Sequence, residues 1–147
     1  MNPVIQQTLD RLHQEAQGEM LTILKGLSKG IFRKLQPEDM KDAYIAMSAE
    51  QGRLMYDTIR ARNCQHIVEF GTSFGISTLY LAAGTQETGG KVITSEILPE
   101  KCAIARRHFE EAGVSDVVEL REGDAMQTLQ DVPPNIDFLV LDGWKDL

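Results

Sequence analysis

Four places in the chain carry side chains able to hold a small ligand, and each follows a short apolar run. The first is Glu69-Phe70-Gly71-Thr72-Ser73-Phe74-Gly75-Ile76-Ser77, a carboxylate followed by two glycines and two hydroxyls. The second is Glu96, the third Gly123-Asp124, and the fourth Asp142-Gly143-Trp144-Lys145. Alone, each has an ordinary reading: an Asp at a strand end is usually a turn or a helix cap, and a glycine pair is usually only a turn. In sequence they predict one ligand-binding edge. A carboxylate at Glu96 can accept from both hydroxyls of a ribose diol. A carboxylate at Asp124 can accept from an exocyclic adenine amine.

The elements that must position these groups follow from periodicity. Ile67 to Phe70 predicts a buried strand, and Ile76 to Ala83 a helix packed behind it. Strand, glycine turn and helix bring backbone N–H groups and a helix start up to a ligand. Upstream, Val4, Ile5, Leu9, Leu12 and Ala16 have helical spacing, with a break expected at Gly18. Met20, Leu21, Ile23, Leu24, Leu27 and Ile31 predict a second helical piece, and Pro37-Glu38-Asp39 a helical turn leading to Tyr44. Ser48 and Gln51 form a capping-box pattern for a helix to Arg62, with Leu54, Met55 and Ile59 on one face and Asn63 as its stop.

Downstream, strands and helices alternate. Thr85 to Gly90 reads as a polar loop and Lys91 to Glu96 as the second strand. Pro99 opens a helix whose stripe is Cys102, Ala105, Phe109 and Ala112, closed by Gly113. Val117 to Leu120 is the third strand and Ala125 to Leu129 a short helix. Ile136 to Asp142 is the fourth strand, apolar enough to be buried on both faces. The repeating units predict an α/β, Rossmann-like, doubly wound parallel sheet over residues 48–147, with a helical cap over residues 1–47.

Composition narrows the ligand. A net charge of -7 argues against broad contact with nucleic-acid backbone. No apolar run is long enough to span a bilayer, and the N-terminus lacks a signal-peptide core. Cys64 and Cys102 match no metal spacing and read as reduced core residues. His13, His66 and His108 stand alone and read as surface or packing residues. The expectation is a cytoplasmic protein with a small-molecule substrate and neither a nucleic-acid nor a membrane partner. The glycine turn has Ser73 where a dinucleotide fingerprint carries its second glycine, which weighs against NAD. Ribose, adenine and an amino-acid tail together describe S-adenosylmethionine.

VEFGTSFGISTLYLA, VITSEILPEKCAIAR, REGDAMQTL and IDFLVLDGWKDL, in this order, resemble the motifs of class I S-adenosylmethionine-dependent methyltransferases, and among them the catechol and caffeoyl-CoA O-methyltransferases. The resemblance implies that Glu69, Gly71, Ser73, Ser77 and Met47 line the methionine end. It implies that Glu96 holds the ribose, that Ile97, Asp124 and Ala125 hold the adenine, and that Trp144 walls the site. Asp142 matches the family's first metal-ligand carboxylate, and Lys145 its general base. A divalent cation, usually Mg²⁺, would bind two neighbouring aryl hydroxyls. The family's further strands and remaining metal ligands are not in this sequence, so a C-terminally incomplete chain is expected. The open edge of strand four or the N-terminal helices are the surfaces on which a homo-oligomer would form. Other readings are a non-catalytic S-adenosylmethionine-binding fragment or subunit, an RNA or protein methyltransferase, and an NAD-dependent enzyme. The acidic charge and the lack of an Asn-Pro-Pro-Tyr-type motif count against the nucleic-acid reading.

Overall fold

The computed structural model describes the backbone of residues 1–28 and 47–142, and side chains within residues 1–21 and 47–142. The predicted turn from Pro37 to Tyr44 lies outside them. Helix α1 (Pro3–Ser28) is one continuous helix. The break expected at Gly18 does not form. A single glycine costs a helix interior only about 1 kcal/mol against alanine, and Gln17, Glu19 and Met20 around it are good helix formers. Ile5, Thr8, Leu9, Leu12 and Ala16 are its buried stripe.

Helix α2 (Ala49–Arg62) starts and stops as its sequence predicts. The Gln51 N–H donates to Ser48 Oγ at 3.2 Å, and the Ser48 N–H to Gln51 Oε1 at 3.1 Å. Asn63 ends the helix in the left-handed region, at φ 53°. The buried face differs from the expected one. Gly52, Tyr56 and Ile59 face inward, whereas Leu54 is 68% exposed. Gly52 decides the rotation: an added Cβ there would lie 2.2 Å from the Tyr80 ring, so helix and ring meet at the glycine.

Strand β1 (His66–Phe70) leads through the glycine turn into α3 (Ile76–Thr88). The helix absorbs the loop expected from Thr85 and stops at Gly89. Ile76 through Thr85 are all buried, so α3 is the central helix of the fold. Then follow β2 (Lys91–Glu96), α4 (Pro99–Ala112), β3 (Val118–Glu122), the single turn α5 (Ala125–Thr128) and β4 (Phe138–Leu141). The predicted α4 stripe of Cys102, Ala105, Phe109 and Ala112 is buried. Both cysteines are free thiols and buried.

The four strands are parallel in the order β3-β2-β1-β4. Successive strands step outward from β1 to β3, then β4 returns to the other side of β1. That reversal is the switch point at which an open α/β sheet binds ligands, beyond the strands' carboxyl ends. One sheet face carries Ile67, Val92, Phe138 and Val140, which pack with Ile59, Cys64 and Leu81. Ile5, Leu9 and Leu12 of α1 join Tyr56, Leu79, Tyr80 and Phe109 in the larger cluster. Strand β4 is not buried on both faces among the described residues: Leu139 and Leu141 are 52% and 57% exposed. They alternate with half-buried Phe138 and Val140, which point to the helical side. No described helix is long and apolar enough to cross a membrane.

Candidate cofactor site at the strand ends

Backbone hydrogen bonds continue past the strands and bring their ends together. The Gly71 and Thr72 N–H groups both donate to the Ser95 carbonyl at 3.1 Å. The Gly123 N–H donates to the Glu96 carbonyl at 2.8 Å, and the Asp142 N–H to the Phe70 carbonyl at 2.9 Å. The four polar strand ends picked out in the sequence thus form one row, ordered Gly123-Asp124, Glu96, the glycine turn and Asp142.

Two glutamates at this end of the sheet, both buried, have different kinds of donor. Glu96 points at the turn. Its Oε2 accepts from the Ser73 N–H at 2.8 Å, and its Oε1 from the Ile97 and Leu98 N–H groups at 2.9 and 3.0 Å. Three fixed amide donors therefore hold the carboxylate in place at the end of β2. Glu69 faces inward from β1 and has no exposed surface. Its donors are hydroxyls: Ser77 at 2.6 Å, Thr78 at 2.5 Å and Thr94 at 2.7 Å. The single Thr94 proton goes to Glu69, so at the 2.6 Å Thr72–Thr94 contact Thr72 is the donor. Burial pushes the Glu69 carboxyl above its usual range; the three hydroxyls oppose this, and the nearby Asp142 charge adds to it. Burial, with the charges of Glu122 and Glu96 behind it, pushes the neighbouring Cys102 thiol up to about 11, which makes it a packing group and not a nucleophile.

The turn itself is tightly formed. Ser73 sits in the left-handed region at φ 49° and Gly75 at φ 87°. The N–H groups of Gly71, Thr72, Ser73 and Gly75 all donate within the protein, the last to the Thr72 carbonyl at 2.9 Å. These amides are committed, so they do not form a cradle for a pyrophosphate. On the next strand end Asp124 is exposed and caps α5, accepting from the Met126 N–H at 2.9 Å. Two large apolar side chains flank Glu96 and Asp124 in the open: Ile97 at 63% and Met126 at 77% exposure.

The expected site residues therefore divide. Gly71, Ser73, Glu96, Ile97, Asp124 and Ala125 lie along the row of strand ends. Glu69 and Ser77 lie beneath it and bond to each other. Met47 is half-buried, one residue ahead of the α2 cap. Asp142 is exposed beside the end of β1. Trp144 and Lys145 lie outside the described residues. Among the described residues no three His, Cys, Asp or Glu side chains cluster as metal ligands. Asp142 supplies one oxygen-ligand side chain where Mg²⁺ needs six oxygens, so the described residues do not by themselves fit the ion. Thr72, Thr78 and Thr94 are absent from the expected set. Their signal is the pairing of Glu69 with Thr94 across β1 and β2, which only the sheet register reveals.

A parallel sheet in this order, with a carboxylate at the end of its second strand and a glycine turn after its first, is a Rossmann-like nucleotide-binding architecture. The chain belongs to the O-methyltransferase family, whose model matches residues 14–146. It is 35% identical over 103 residues to a catechol O-methyltransferase of Mycobacterium tuberculosis, a match covering 69% of this chain and 46% of that protein. Among solved structures it resembles an SAH-bound methyltransferase of Podospora anserina, with a TM-score of 0.69 and 25% identity over 97% of this chain and 51% of the other. It also resembles an O-methyltransferase of Bacillus cereus in complex with SAH, with a TM-score of 0.64 and 26% identity over 92% and 54%. The chain spans about half the length of these relatives.

Proposed function

We propose that the row of strand ends binds S-adenosylmethionine, and that the protein is an O-methyltransferase of a small, catechol-like hydroxylated molecule. The observation that carries the cofactor reading is the Glu96 carboxylate, fixed by three amides beside a turn whose own N–H groups are already committed. Such a site leaves an acceptor lone pair on Oε2 for a ribose hydroxyl and no cradle for phosphates, which favours an adenosyl sulfonium over a dinucleotide. Exposed Ile97 would cover one face of the adenine, with Asp124 and Ala125 at its edge. Gly71 and Ser73 would approach the methionine end, backed by Glu69 and Ser77. Met47 and Trp144 would flank it. The SAH in the two structural relatives is the demethylated product of this cofactor, which supports the same reading.

For catalysis, Lys145 would take the proton of the acceptor hydroxyl. The methyl group would pass in line from the sulfonium sulfur to that oxygen, breaking the S–C bond as the O–C bond forms and leaving S-adenosylhomocysteine. Holding the two reactants in line supplies much of such a rate. Asp142 would offer its carboxylate as one oxygen ligand to a divalent cation.

Calorimetry with S-adenosylhomocysteine and with NAD tests the cofactor reading. The first should bind and the second should not. Glu96→Gln keeps an acceptor oxygen but loses the charge, and should weaken binding roughly tenfold; Glu96→Ala should weaken it more, roughly a hundredfold. Equal binding of NAD, or unchanged affinity in both variants, would show the ribose assignment to be wrong. Methyl transfer to catechol separates an enzyme from a chain that only binds the cofactor.

A further inference from the structure

We infer that His108, on α4, is a positioning residue for the cofactor turn; the inference rests on the S-adenosylmethionine reading of that turn. Residues 71–75 are tied to two elements. At β2 the Ser95 carbonyl takes the Gly71 and Thr72 N–H groups, the Thr72 hydroxyl bonds to that of Thr94, and the Glu96 carboxylate takes the Ser73 N–H. A further tie runs to α4. His108 is buried, and its Nδ1 lies 2.8 Å from the Phe74 carbonyl oxygen. A carbonyl oxygen only accepts, so Nδ1 carries the proton.

The same side of α4 presses on the turn at other points. An added Cβ at Gly75 would lie 2.7 Å from the Phe109 ring and 3.4 Å from Ala105. The Lys101 ammonium lies 5.1 Å from the centroid of the Phe74 ring. Residues 101, 105, 108 and 109 recur at helical spacing, so one stripe of α4 receives the turn.

The His108 bond acts where the backbone is least free. Ser73 and Gly75 both have positive φ, and Phe74 sits between them. The orientation of the Phe74 carbonyl fixes the peptide plane between Phe74 and Gly75, the cap residue ahead of α3. Without His108 that plane keeps the Gly75 N–H bond to the Thr72 carbonyl but loses the imidazole at its oxygen, so it can tilt and shift the angle at which the Ser73 N–H meets Glu96. His108 thus acts on the cofactor through Ser73 and Glu96, without touching it.

The geometry gives an unusual test, because asparagine and glutamine mimic different nitrogens of histidine. The Asn side-chain nitrogen can stand where Nδ1 stands; the Gln nitrogen stands where Nε2 would be. His108→Asn should bind S-adenosylhomocysteine within about threefold of wild type, whereas His108→Gln and His108→Leu should bind roughly tenfold more weakly. Equal losses in the Asn and Gln variants, or no loss in either Gln or Leu, would overturn the proposal. Nitrogen NMR of the wild-type imidazole should report a proton on Nδ1, and a neutral ring protonated only at Nε2 would equally overturn it. If the wild type itself fails to bind S-adenosylhomocysteine, the cofactor reading falls. The NMR result, together with amide shifts at residues 71–78 in His108→Gln but not in His108→Asn, still decides whether His108 holds the turn.

Discussion

Two glutamates a strand apart show how the donor type sets what a carboxylate can do. The partners of Glu96 are backbone amides, which can only donate, so its oxygens must accept. The partners of Glu69 are hydroxyls, which can turn and accept instead, so its site tolerates a proton. The Glu69 carboxyl is raised from its usual 4.5 by burial. A raised value means that folding favours the protonated form. The stabilising contribution is therefore complete below about pH 4.5 and is lost as pH rises through the folded-state value. Glu69→Gln cannot titrate. Its stability relative to wild type, from urea unfolding, should accordingly rise as pH climbs above about 4.5. A difference that stays constant with pH would mean that Glu69 is not held in a proton-favouring site. The residue types of the site were legible beforehand, but not this division of labour. Glu69 and Ser77 read as two ligand-facing groups because nothing in their spacing says that a serine eight positions on would close back on the strand. Thr94 joins them only through the parallel register.

At the scale of elements, local chemistry carried the fold far. The Ser48–Gln51 box, the Asn63 stop, Pro99 and Gly113 each mark a boundary that forms as expected, because a cap is a contact between near neighbours. Features set by distant partners were less legible. The rotation of α2 depends on the Tyr80 ring against Gly52, and the extension of α3 to Thr88 on the partners of its last turn, Gln86 with Gly113, Glu87 with Tyr56 and Arg60, and Thr88 with Cys64. His108 read as a packing residue; its bond to the turn depends on how α4 lies against α3. Gly75 is where element and site meet. Gly75→Ala would put a Cβ at φ 87° and 2.7 Å from the Phe109 ring. It should cost about 2 kcal/mol or more in unfolding free energy. Shrinking the ring by Phe109→Leu should recover the part due to the clash and leave the part due to backbone strain. Full recovery would show that the positive φ costs little; no recovery would show that the ring gives way freely.

At the scale of the molecule, one helical layer and one sheet share a continuous apolar interior. Helix α1 belongs to it through Ile5, Leu9 and Leu12, although in sequence it stands apart from the strand–helix repeats. The other sheet face carries exposed Leu139 and Leu141 on β4, in a chain that spans about half the length of its relatives. What the described residues bring together is a row of strand ends, and the central claim is that the row is a single cofactor site. Amide NMR during titration with S-adenosylhomocysteine tests it most directly. Amides of Gly71–Ser77, Ile97–Leu98 and Asp124–Met126 should shift together along one binding curve, while those near Asp137 at the opposite end of the sheet stay still. Shifts confined to one strand end, following different curves, or absent from a folded sample would contradict it.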